Sequence, residues 1–235
     1  MSTKDTRSRI LEAAGAAFAE HGFQRTTIRE ICQRADVNLA SVNYHFGDKQ
    51  ELYRQVLRYA HDFAVNQRPF PAWPPGTAAE QKLRDFVHIT LDRMLSVEHL
   101  PWHHRLMQRE ILQSSGAMLE LVEDYFRPNF QTLLAILDEL LPAGTPMPKR
   151  RQLGLSIIGQ CCFYRIHLFS GSSRGLLHML VPEAELESHF GPDQVADHIT
   201  DLSLAALGRR QMPLEHDGGG QLEAGHATSP TLMES

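Results

Sequence analysis

The sequence has few cysteines, few aromatic residues and no long apolar run, and these shortages exclude several classes of protein. Its 235 residues include three cysteines and 8% aromatic residues. The longest unbroken apolar run, residues 133–137, is far shorter than the roughly 18 residues of a membrane-spanning helix. We therefore expect no membrane partner. Because the first residues contain no apolar signal core, we also expect a cytoplasmic protein.

Metal-binding and catalytic motifs are missing as well. The sequence has no Cys-x-x-Cys pair, His-Glu-x-x-His motif, phosphate-binding loop, dinucleotide fingerprint or Gly-x-Ser-x-Gly elbow. Three histidines lie within residues 99–104, but Pro101 disrupts the helical register that would stack them as ligands. Cys161 and Cys162 are adjacent and too close for an ordinary disulfide, so we expect reduced thiols. We expect no enzymatic activity, no metal and no cofactor.

Charge is distributed unevenly along the chain. The net charge is −5, but residues 1–60 contain nine Lys and Arg against seven Asp and Glu. This part therefore carries +2 and the remainder carries −7. A slightly basic module attached to an acidic body is the pattern expected when only the first module meets phosphate.

The pattern of apolar residues predicts an all-α protein. Apolar residues recur at helical spacing through most of the chain, without sustained period-two alternation. Residues 68–76 contain four of the thirteen prolines and predict a break between two modules. We expect a DNA-binding module over residues 1–67, a helical bundle over residues 77–210 and a disordered tail over residues 211–235.

The first module begins with two predicted helices. An apolar stripe predicts a helix over about residues 5–21, which Gly22 ends with a left-handed cap. Thr27 and Glu30 have the spacing of a capping box, in which the side chain of each residue satisfies a free amide of the other. A short second helix is expected from this point.

A tight turn and a further short helix follow. Residues 36–38 predict the turn, and Asn38 is placed to cap a helix over about residues 39–45. Val42 and Phe46 are expected to anchor that helix, because two turns are marginal alone. Asp48 is placed to cap the fourth helix. Two such helices with the second one exposed are typical of a helix-turn-helix, whose recognition helix enters the major groove.

Spaced residues across positions 7–58 sharpen this interpretation. They are Gly22-Phe23, Thr26-Thr27, Ile31, Ala35, Val37, Val42-Asn43-Tyr44-His45-Phe46, Lys49 and Leu52. This pattern resembles the TetR family of bacterial repressors. The resemblance implies double-stranded operator DNA as the partner, a homodimer, and an effector pocket in a second helical domain. The sequence departs from the family at Asp36, where the turn often has Gly, although Asp can adopt the left-handed conformation.

The candidates for DNA contact surround the predicted turn. The fourth helix offers free amides and the Lys49 charge to a phosphate, and Tyr44 and His45 have polar tips that suit phosphate oxygens. Asn43 can pair with adenine, and small or apolar side chains can contact a thymine methyl group. Tyr44 and Phe46 can instead be core aromatics. The full set is Thr27, Arg29, Asn38, Leu39, Ala40, Ser41, Asn43, Tyr44, His45 and Lys49.

The second module resembles a branch of the same family. Residues 101–110 and 156–161 look like the carboxyl-terminal domain of the CecR or CerR-like branch. A charged pair on an apolar helix needs partners, which a ligand pocket or an internal ion pair would supply. The apolar candidates can equally be plain core residues. The predicted small-molecule effector site comprises Trp102, Met107, Arg109, Glu110, Gln160, Phe163, Arg165 and His167.

Helical patterns continue to the end of the bundle. They span about residues 79–97, 102–114, 117–141 with a break near Pro128, 149–170 and 192–209. Residues 153–169 are apolar on all faces, which predicts burial on every side. A homodimer would provide that burial, with a second stripe at Val195, Ile199, Leu202 and Ala206. The alternative is a central helix in a monomeric bundle.

Together these features predict a dimeric transcriptional repressor that binds a palindromic operator and is released by a small, largely apolar effector. Two alternatives stay open. In one, the second domain of a TetR-like DNA-binding protein recognises a protein partner rather than an effector. In the other, the chain is a helical enzyme in which residues 1–60 are incidental.

Overall fold

The computed structural model describes residues 3–95, 102–112, 116–168 and 176–209, and every regular element in these ranges is helical. The predicted all-α fold is confirmed. The amino-terminal helices are α1 (Thr3–Arg25), α2 (Ile28–Ala35), α3 (Leu39–Phe46) and α4 (Lys49–Gln67). The later helices are α5 (Ala79–Leu95), α6 (His103–Leu112), α7 (Met118–Leu121), α8 (Arg127–Leu140), α9 (Met147–Leu168), α10 (Leu176–Leu180), α11 (Glu183–His189) and α12 (Pro192–Ala206). The predicted tail at 211–235 lies outside the described residues.

The first helix is interrupted at Gly22, as predicted. Gly22 leaves helical geometry with φ 78° and ψ 167°, and a short helical stretch continues beyond this kink to Arg25. Thr26 closes this end, because its buried hydroxyl donates to the carbonyl oxygens of Gly22 (2.9 Å) and Ala17 (3.1 Å). The kink at Gly22 therefore turns the chain toward α2.

The amino-terminal core includes a helix from beyond the proline-rich segment. Helices α1 to α4 pack around it, and α6 packs against α1 and adds Leu106 and Met107, while Trp102 just before α6 adds a third side chain. The predicted boundary at residue 77 therefore does not separate the packing of the two parts, because one face of α6 completes the first core. We call this set the amino-terminal core; its main members are Ile10, Leu11, Phe18, Ile31, Val42, Phe46, Leu52, Tyr53, Leu57, Trp102, Leu106 and Met107.

The carboxyl-terminal core is built by α5, α8, α9 and α12. Its main members are Leu83, Phe86, Val87, Leu91, Leu133, Leu137, Ile157, Cys161, Val195 and Ile199. Helix α4 ends at Gln67 and α5 begins at Ala79, so the helical pattern is interrupted where the prolines predict it. The segment is not loose, because Phe70 stacks on Phe86 with ring centroids 5.0 Å apart and Trp73 Nε1 donates to Asp85 (2.9 Å).

Two local features differ between the sequence expectation and the structure. The expected break near Pro128 takes the form of a π-helical turn, Val122–Phe126, between α7 and α8. Pro128 follows it as the second residue of α8, where its missing N–H interrupts the hydrogen bonding of a continuous helical run. The short helices α10 and α11 were not predicted.

Within the single chain, helix α9 is buried on one side and exposed on the other, so it is not the central helix of a monomeric bundle, and the expected dimer stays a prediction. Leu155, Phe163 and Ile166 are 62%, 43% and 39% exposed, and they share one face at helical spacing. The opposite face is buried, and a Cβ on Gly154 would lie 2.8 Å from Phe130. The α12 stripe is also divided, because Val195 and Ile199 belong to the carboxyl-terminal core whereas Ala206 is exposed.

None of the described helices combines the length and apolar character that a membrane span requires.

Candidate nucleic-acid interface

The amino terminus of α2 presents backbone amides beside a basic side chain. Thr27 caps the helix in extended conformation, and its hydroxyl accepts a hydrogen bond from the Glu30 amide at 3.2 Å. The Glu30 carboxylate instead lies 3.2 Å from His21 Nε2 and 2.9 Å from Arg34 Nη2. Only the threonine half of the expected capping box is therefore seen. Arg29 is exposed beside it, which leaves its charge available to solvent or phosphate.

An ion-pair network covers the side of α2. Glu20, His21 and Glu30 bring potential metal-ligand atoms within 4.8 Å of one another. Arg34 Nη2 pairs with both carboxylates, at 2.5 Å from Glu20 and 2.9 Å from Glu30. The hydrogen bond to Glu20 and the arginine charge hold the pKa of Glu20 below its usual value. Arg34 offsets part of the negative charge of Glu20 and Glu30, and we assign the network a structural role.

The turn between α2 and α3 has the conformation that the sequence allows at Asp36. Asp36 has φ 50° and ψ 56°, which is the left-handed region, and its amide donates toward the carbonyl oxygen of Gln33 at 3.4 Å. The Val37 amide donates to the Cys32 carbonyl at 3.0 Å. Carbonyl groups at the end of α2 are thereby satisfied as in a glycine-capped helix.

Asn38 begins α3 as a cap. Its Oδ1 atom accepts hydrogen bonds from the Ser41 amide (2.8 Å) and the Ser41 hydroxyl (3.0 Å). This position confirms the expected cap. Because the Asn38 side-chain carbonyl oxygen and the Ser41 hydroxyl hydrogen-bond to each other, these groups are less available for hydrogen bonds to DNA bases. Val42 and Phe46 are buried, as predicted, and anchor the helix.

The outer face of α3 is open. Leu39 is 55% exposed and Tyr44 is 82% exposed, and Ala40 and Asn43 are also classed as exposed. His45 is half-buried, with its ring centroid 5.1 Å from that of Tyr44. The core-aromatic interpretation is therefore wrong for Tyr44 and correct for Phe46.

Lys49 lies at the start of α4, below this face. Asp48 caps the helix by accepting a hydrogen bond from the Glu51 amide at 2.8 Å. Lys49 Nζ donates to the Gln24 carbonyl at 3.3 Å and lies 4.7 Å from the centroid of the Phe23 ring. Burial lowers the pKa of Lys49. The ammonium group therefore joins α4 to the end of α1 and keeps further N–H donors for another acceptor.

Four residues of the predicted effector site, one just before α6 and three within it, contact the amino-terminal part of the chain. Trp102 and Met107 are part of that core, and a Cβ on Gly15 would collide with the Trp102 ring. Arg109 Nη2 donates to the Glu20 carbonyl at 3.3 Å. Glu110 is buried, and its Oε2 atom accepts a 2.6 Å hydrogen bond from the Tyr53 hydroxyl. We call this contact of α6 with α1 and α4 the α6 joint.

The four α9 residues of that prediction lie elsewhere. Gln160 Nε2 donates to the Ser156 carbonyl at 3.3 Å within its own helix. Phe163 is on the exposed face, with the His167 ring centroid 4.7 Å from its own. Arg165 Nε donates to the Met94 carbonyl at 2.9 Å, and burial lowers the pKa of Arg165 to about 10. The predicted eight residues thus divide between the α6 joint and the surface and inner side of α9.

Two buried histidines near the α6 joint were not selected from the sequence as a pair. Burial lowers the pKa of His61 in α4 to about 4, and the charge on Arg93 adds to this effect. Burial lowers the pKa of His103 in α6 to about 3, with contributions from Arg165 and His61. His61 is also in ring contact with Tyr125, with centroids 4.3 Å apart. The sequence does not indicate this cluster because His61 and His103 lie far apart along the chain.

Comparison with known proteins gives matches in both parts of the chain. The family model for the carboxyl-terminal domain of the HTH-type transcriptional dual regulator CecR matches residues 79–207. The model for bacterial regulatory proteins of the tetR family matches residues 10–56. These two models follow the division into a helix-turn-helix part and a helical bundle.

Individual relatives match chiefly in the amino-terminal part. The regulator TtgR of Pseudomonas putida is 37% identical over 59 residues, or 25% of this chain and 28% of TtgR. The dual regulator CecR of Shigella flexneri is 36% identical over 64 residues, or 27% of this chain and 28% of CecR. The chain thus matches less than a third of the length of these two relatives.

Solved structures extend the similarity to the whole fold. A TetR-like transcriptional regulator from a Rhodococcus species has a TM-score of 0.60 at 15% identity, over 87% of this chain and 97% of that one. The TetR family regulator PfmR from Thermus thermophilus has a TM-score of 0.57 at 18% identity, over 84% and 97%. At these identities the likeness concerns the fold. With both family models matched in order along one helical fold, the chain belongs to the TetR family of bacterial transcriptional regulators and has a CecR-type carboxyl-terminal domain.

Proposed function

We propose that the protein is a dimeric repressor that binds an inverted-repeat operator and leaves it when a small effector binds the helical bundle. The observation that carries this proposal is the open face of α3, held on a closed core. Leu39 and Tyr44 are large and exposed there, while Val42 and Phe46 anchor the same helix from behind. A rigid helix with an exposed, mixed face suits insertion into the major groove.

The proposed contacts divide into positioning and reading groups. Thr27, Arg29, Tyr44, His45 and Lys49 surround the start of α2, the end of α3 and the start of α4. They are suited to phosphate, because such contacts fix the register of a protein on the duplex. Asn43, Leu39 and Ala40 occupy the exposed side of α3 and are suited to base edges. Asn38 and Ser41 remain in the proposed interface chiefly through the turn that they stabilise.

The proposed dimer uses the exposed apolar face of α9. Leu155, Phe163 and Ile166 form one strip on the helix, and a Cβ on Gly159 would meet no atom within 4 Å. A second copy packing here would bury these side chains against the same strip under two-fold symmetry. Dimeric helix-turn-helix proteins read two half-sites about one helical turn apart or multiples of it, so we expect an inverted repeat.

The α6 joint is the proposed route from effector to DNA. One side of α6 is buried in the amino-terminal core through Trp102 and Met107, and Glu110 bonds to Tyr53 in α4. A movement of α6 in the bundle would therefore displace α1 and α4, which carry the helix-turn-helix. An effector must bind the DNA-incompetent arrangement more tightly than the competent one, because only differential affinity shifts the population.

Mobility shift with the protein's own upstream intergenic DNA tests this function. With excess non-specific competitor at near-physiological salt, we expect a competitor-resistant complex that footprints as two half-sites. Tyr44→Ala should weaken it about tenfold or more without lowering the melting temperature, since Tyr44 is 82% exposed. Tyr44→Phe removes the hydroxyl and keeps the ring, so it distinguishes the contributions of these two groups to binding. Leu119→Ala, at an exposed leucine of α7, is the matched control.

Three outcomes would contradict parts of the proposal. A footprint over one unpaired half-site would refute the dimeric operator. Equal binding by Tyr44→Ala and the wild-type protein would refute the α3 interface. Effector-independent binding at many scattered genomic sites would favour the alternative in which the carboxyl-terminal domain binds a protein partner.

A further inference from the structure

An unusual turn connects the two helices of the helix-turn-helix. Among the described residues, Asp36 is the non-glycine residue with positive φ. The left-handed conformation is unfavourable for a residue with a Cβ, so contacts from outside the turn would stabilise it. The turn also sets the direction in which α3 leaves α2, because only residues 36–38 separate the two helices.

That support comes from Arg9 in α1. Arg9 Nη2 donates to the carbonyl oxygen of Asp36 at 3.0 Å and also to that of Ala35. The same atom lies 3.6 Å from the Asp36 carboxylate. One guanidinium group thus holds the last residue of α2, the backbone of the turn and its side chain.

The electrostatics of this contact favour the same interpretation. The carboxyl end of α2 carries the negative end of the helix dipole, and a cation placed there is stabilising. The Asp36 side chain is fully exposed and negative, which opposes the approach of phosphate. Arg9 offsets both charges. Its own side chain is only 28% exposed, and its neighbours Ile10 and Leu11 are buried in the amino-terminal core, so the guanidinium group is held from a rigid helix.

We propose that Arg9 is a positioning residue for DNA recognition, which fixes the Asp36 turn and through it the orientation of α3. Arg9 acts on the turn and not on a phosphate. This inference rests on the proposed operator binding and is independent of the effector and of the dimer.

The test compares Arg9 variants on the operator and on non-specific duplex at several salt concentrations. The operator is the sequence that the wild-type protein selects from random duplexes. Arg9→Ala should weaken operator binding about tenfold, the scale of one charged hydrogen bond, and should change non-specific binding much less. The slope of log affinity against log salt should stay at the wild-type value, because no phosphate contact is lost. Arg9→Lys should recover part of the loss.

A second substitution makes the test specific to the turn. Asp36→Gly removes both the left-handed penalty and the carboxylate, so the turn depends less on Arg9. In that background Arg9→Ala should cost about threefold or less. Arg209→Ala is the matched control, since Arg209 Nε donates to the Leu140 carbonyl at the end of α8 in the other core (2.9 Å). We expect it to leave operator binding unchanged.

Each other result overturns the proposal. A salt slope smaller by about one would make Arg9 a phosphate contact. Wild-type affinity in Arg9→Ala would show that the turn holds without it. If Arg9→Ala weakened operator binding as much in the Asp36→Gly background as in the wild-type protein, Arg9 would stabilise the fold in general and not the turn. If the wild-type protein selects no sequence at all, operator binding itself fails, which is a distinct result.

Discussion

The two cores of this protein differ in what they leave exposed. Around the amino-terminal core, the large exposed hydrophobic residues among the described positions are Leu39 and Tyr44 on α3 and Leu119 on α7. Around the carboxyl-terminal core, exposed apolar side chains extend along α9 through Leu155, Phe163 and Ile166. The surface on α3 is a mixed one on a short helix, and that on α9 is an apolar strip on a long helix. A nucleic acid suits the first surface, and a protein surface suits the second.

The α6 joint belongs to the amino-terminal core and differs from both of these surfaces in its chemistry. It combines a closely fitted ring, Trp102 against Gly15, with the buried hydrogen bond between Tyr53 and Glu110. His61 and His103 lie nearby as buried neutral groups. Close packing with polar groups of defined geometry transmits displacement well, because such contacts have few alternative arrangements.

Charging the apolar strip of α9 should have the largest effect. The double variant Leu155→Asp with Phe163→Asp places two carboxylates where we propose that a second copy packs, and buried unpaired charges are costly. We expect a monomer in sedimentation equilibrium. Operator affinity should fall on the order of a thousandfold, because one half-site then binds without the other.

The control for this prediction is another exposed leucine. Leu119→Asp in α7 introduces the same charge at a residue that is 73% exposed and outside α9. It should leave both the dimer and the operator affinity unchanged. A dimer that persists in the α9 double variant would refute the proposed interface. The α9 strip would then not be a surface for a second copy.

The sequence predicts the helix caps and the turn of the helix-turn-helix well because their signals are local. The caps at Thr27, Asn38 and Asp48 each depend on a side chain and an amide within three residues, so spacing reveals them. The left-handed Asp36 is likewise a property of a single turn. Arg9 was missed, since its contact with the turn is 27 residues away in the sequence.

The sequence does not show which neighbours cover the residues of the predicted effector site, because the signals for such contacts are not local. Helical spacing indicates that Trp102, Leu106 and Met107 share a buried face, but periodicity does not say which neighbour covers it. The covering neighbour is the amino-terminal core. For the same reason the apolar residues of α9 predict burial on every side but do not say whether the same chain or a second copy provides it; in the single chain one face is open. Helices α10 and α11 are too short to show a period.

Acidification should weaken the junction between the cores. His61 and His103 have folded-state pKa values of about 4 and about 3, both below the ordinary value of 6.5. Below pH 6.5 these histidines therefore bind protons in the unfolded chain but stay neutral in the folded chain until the pH approaches their lower pKa values. The histidine contribution is fully present above pH 6.5 and is lost as the pH falls toward 4, by up to about 1.4 kcal/mol per pH unit for each group. Urea unfolding between pH 7 and pH 4.5 measures this slope.

Removing one of these histidines isolates the effect. His61→Phe keeps a ring against Tyr125 and Phe126 and should flatten the pH dependence by about half, if both histidines contribute equally. His198→Gln, at an exposed histidine of α12, is the matched control and should retain the wild-type slope. An unchanged slope in His61→Phe would show that acid sensitivity arises away from the junction.

The smallest expected effect concerns Lys49, at the edge of the DNA-facing surface. Its ammonium group is shared between the Gln24 carbonyl and the Phe23 ring, so part of its role is structural. Lys49→Ala should weaken binding about fivefold on all sequences alike and reduce the salt slope by about one, because a phosphate partner and its counterion are lost together. Lys82→Ala, which removes an ion pair with Glu139 beside the other core, should change neither quantity. An unaltered salt slope in Lys49→Ala would confine Lys49 to joining α4 with α1, and phosphate contact at this edge would then depend on Tyr44, His45 and the amides of α2.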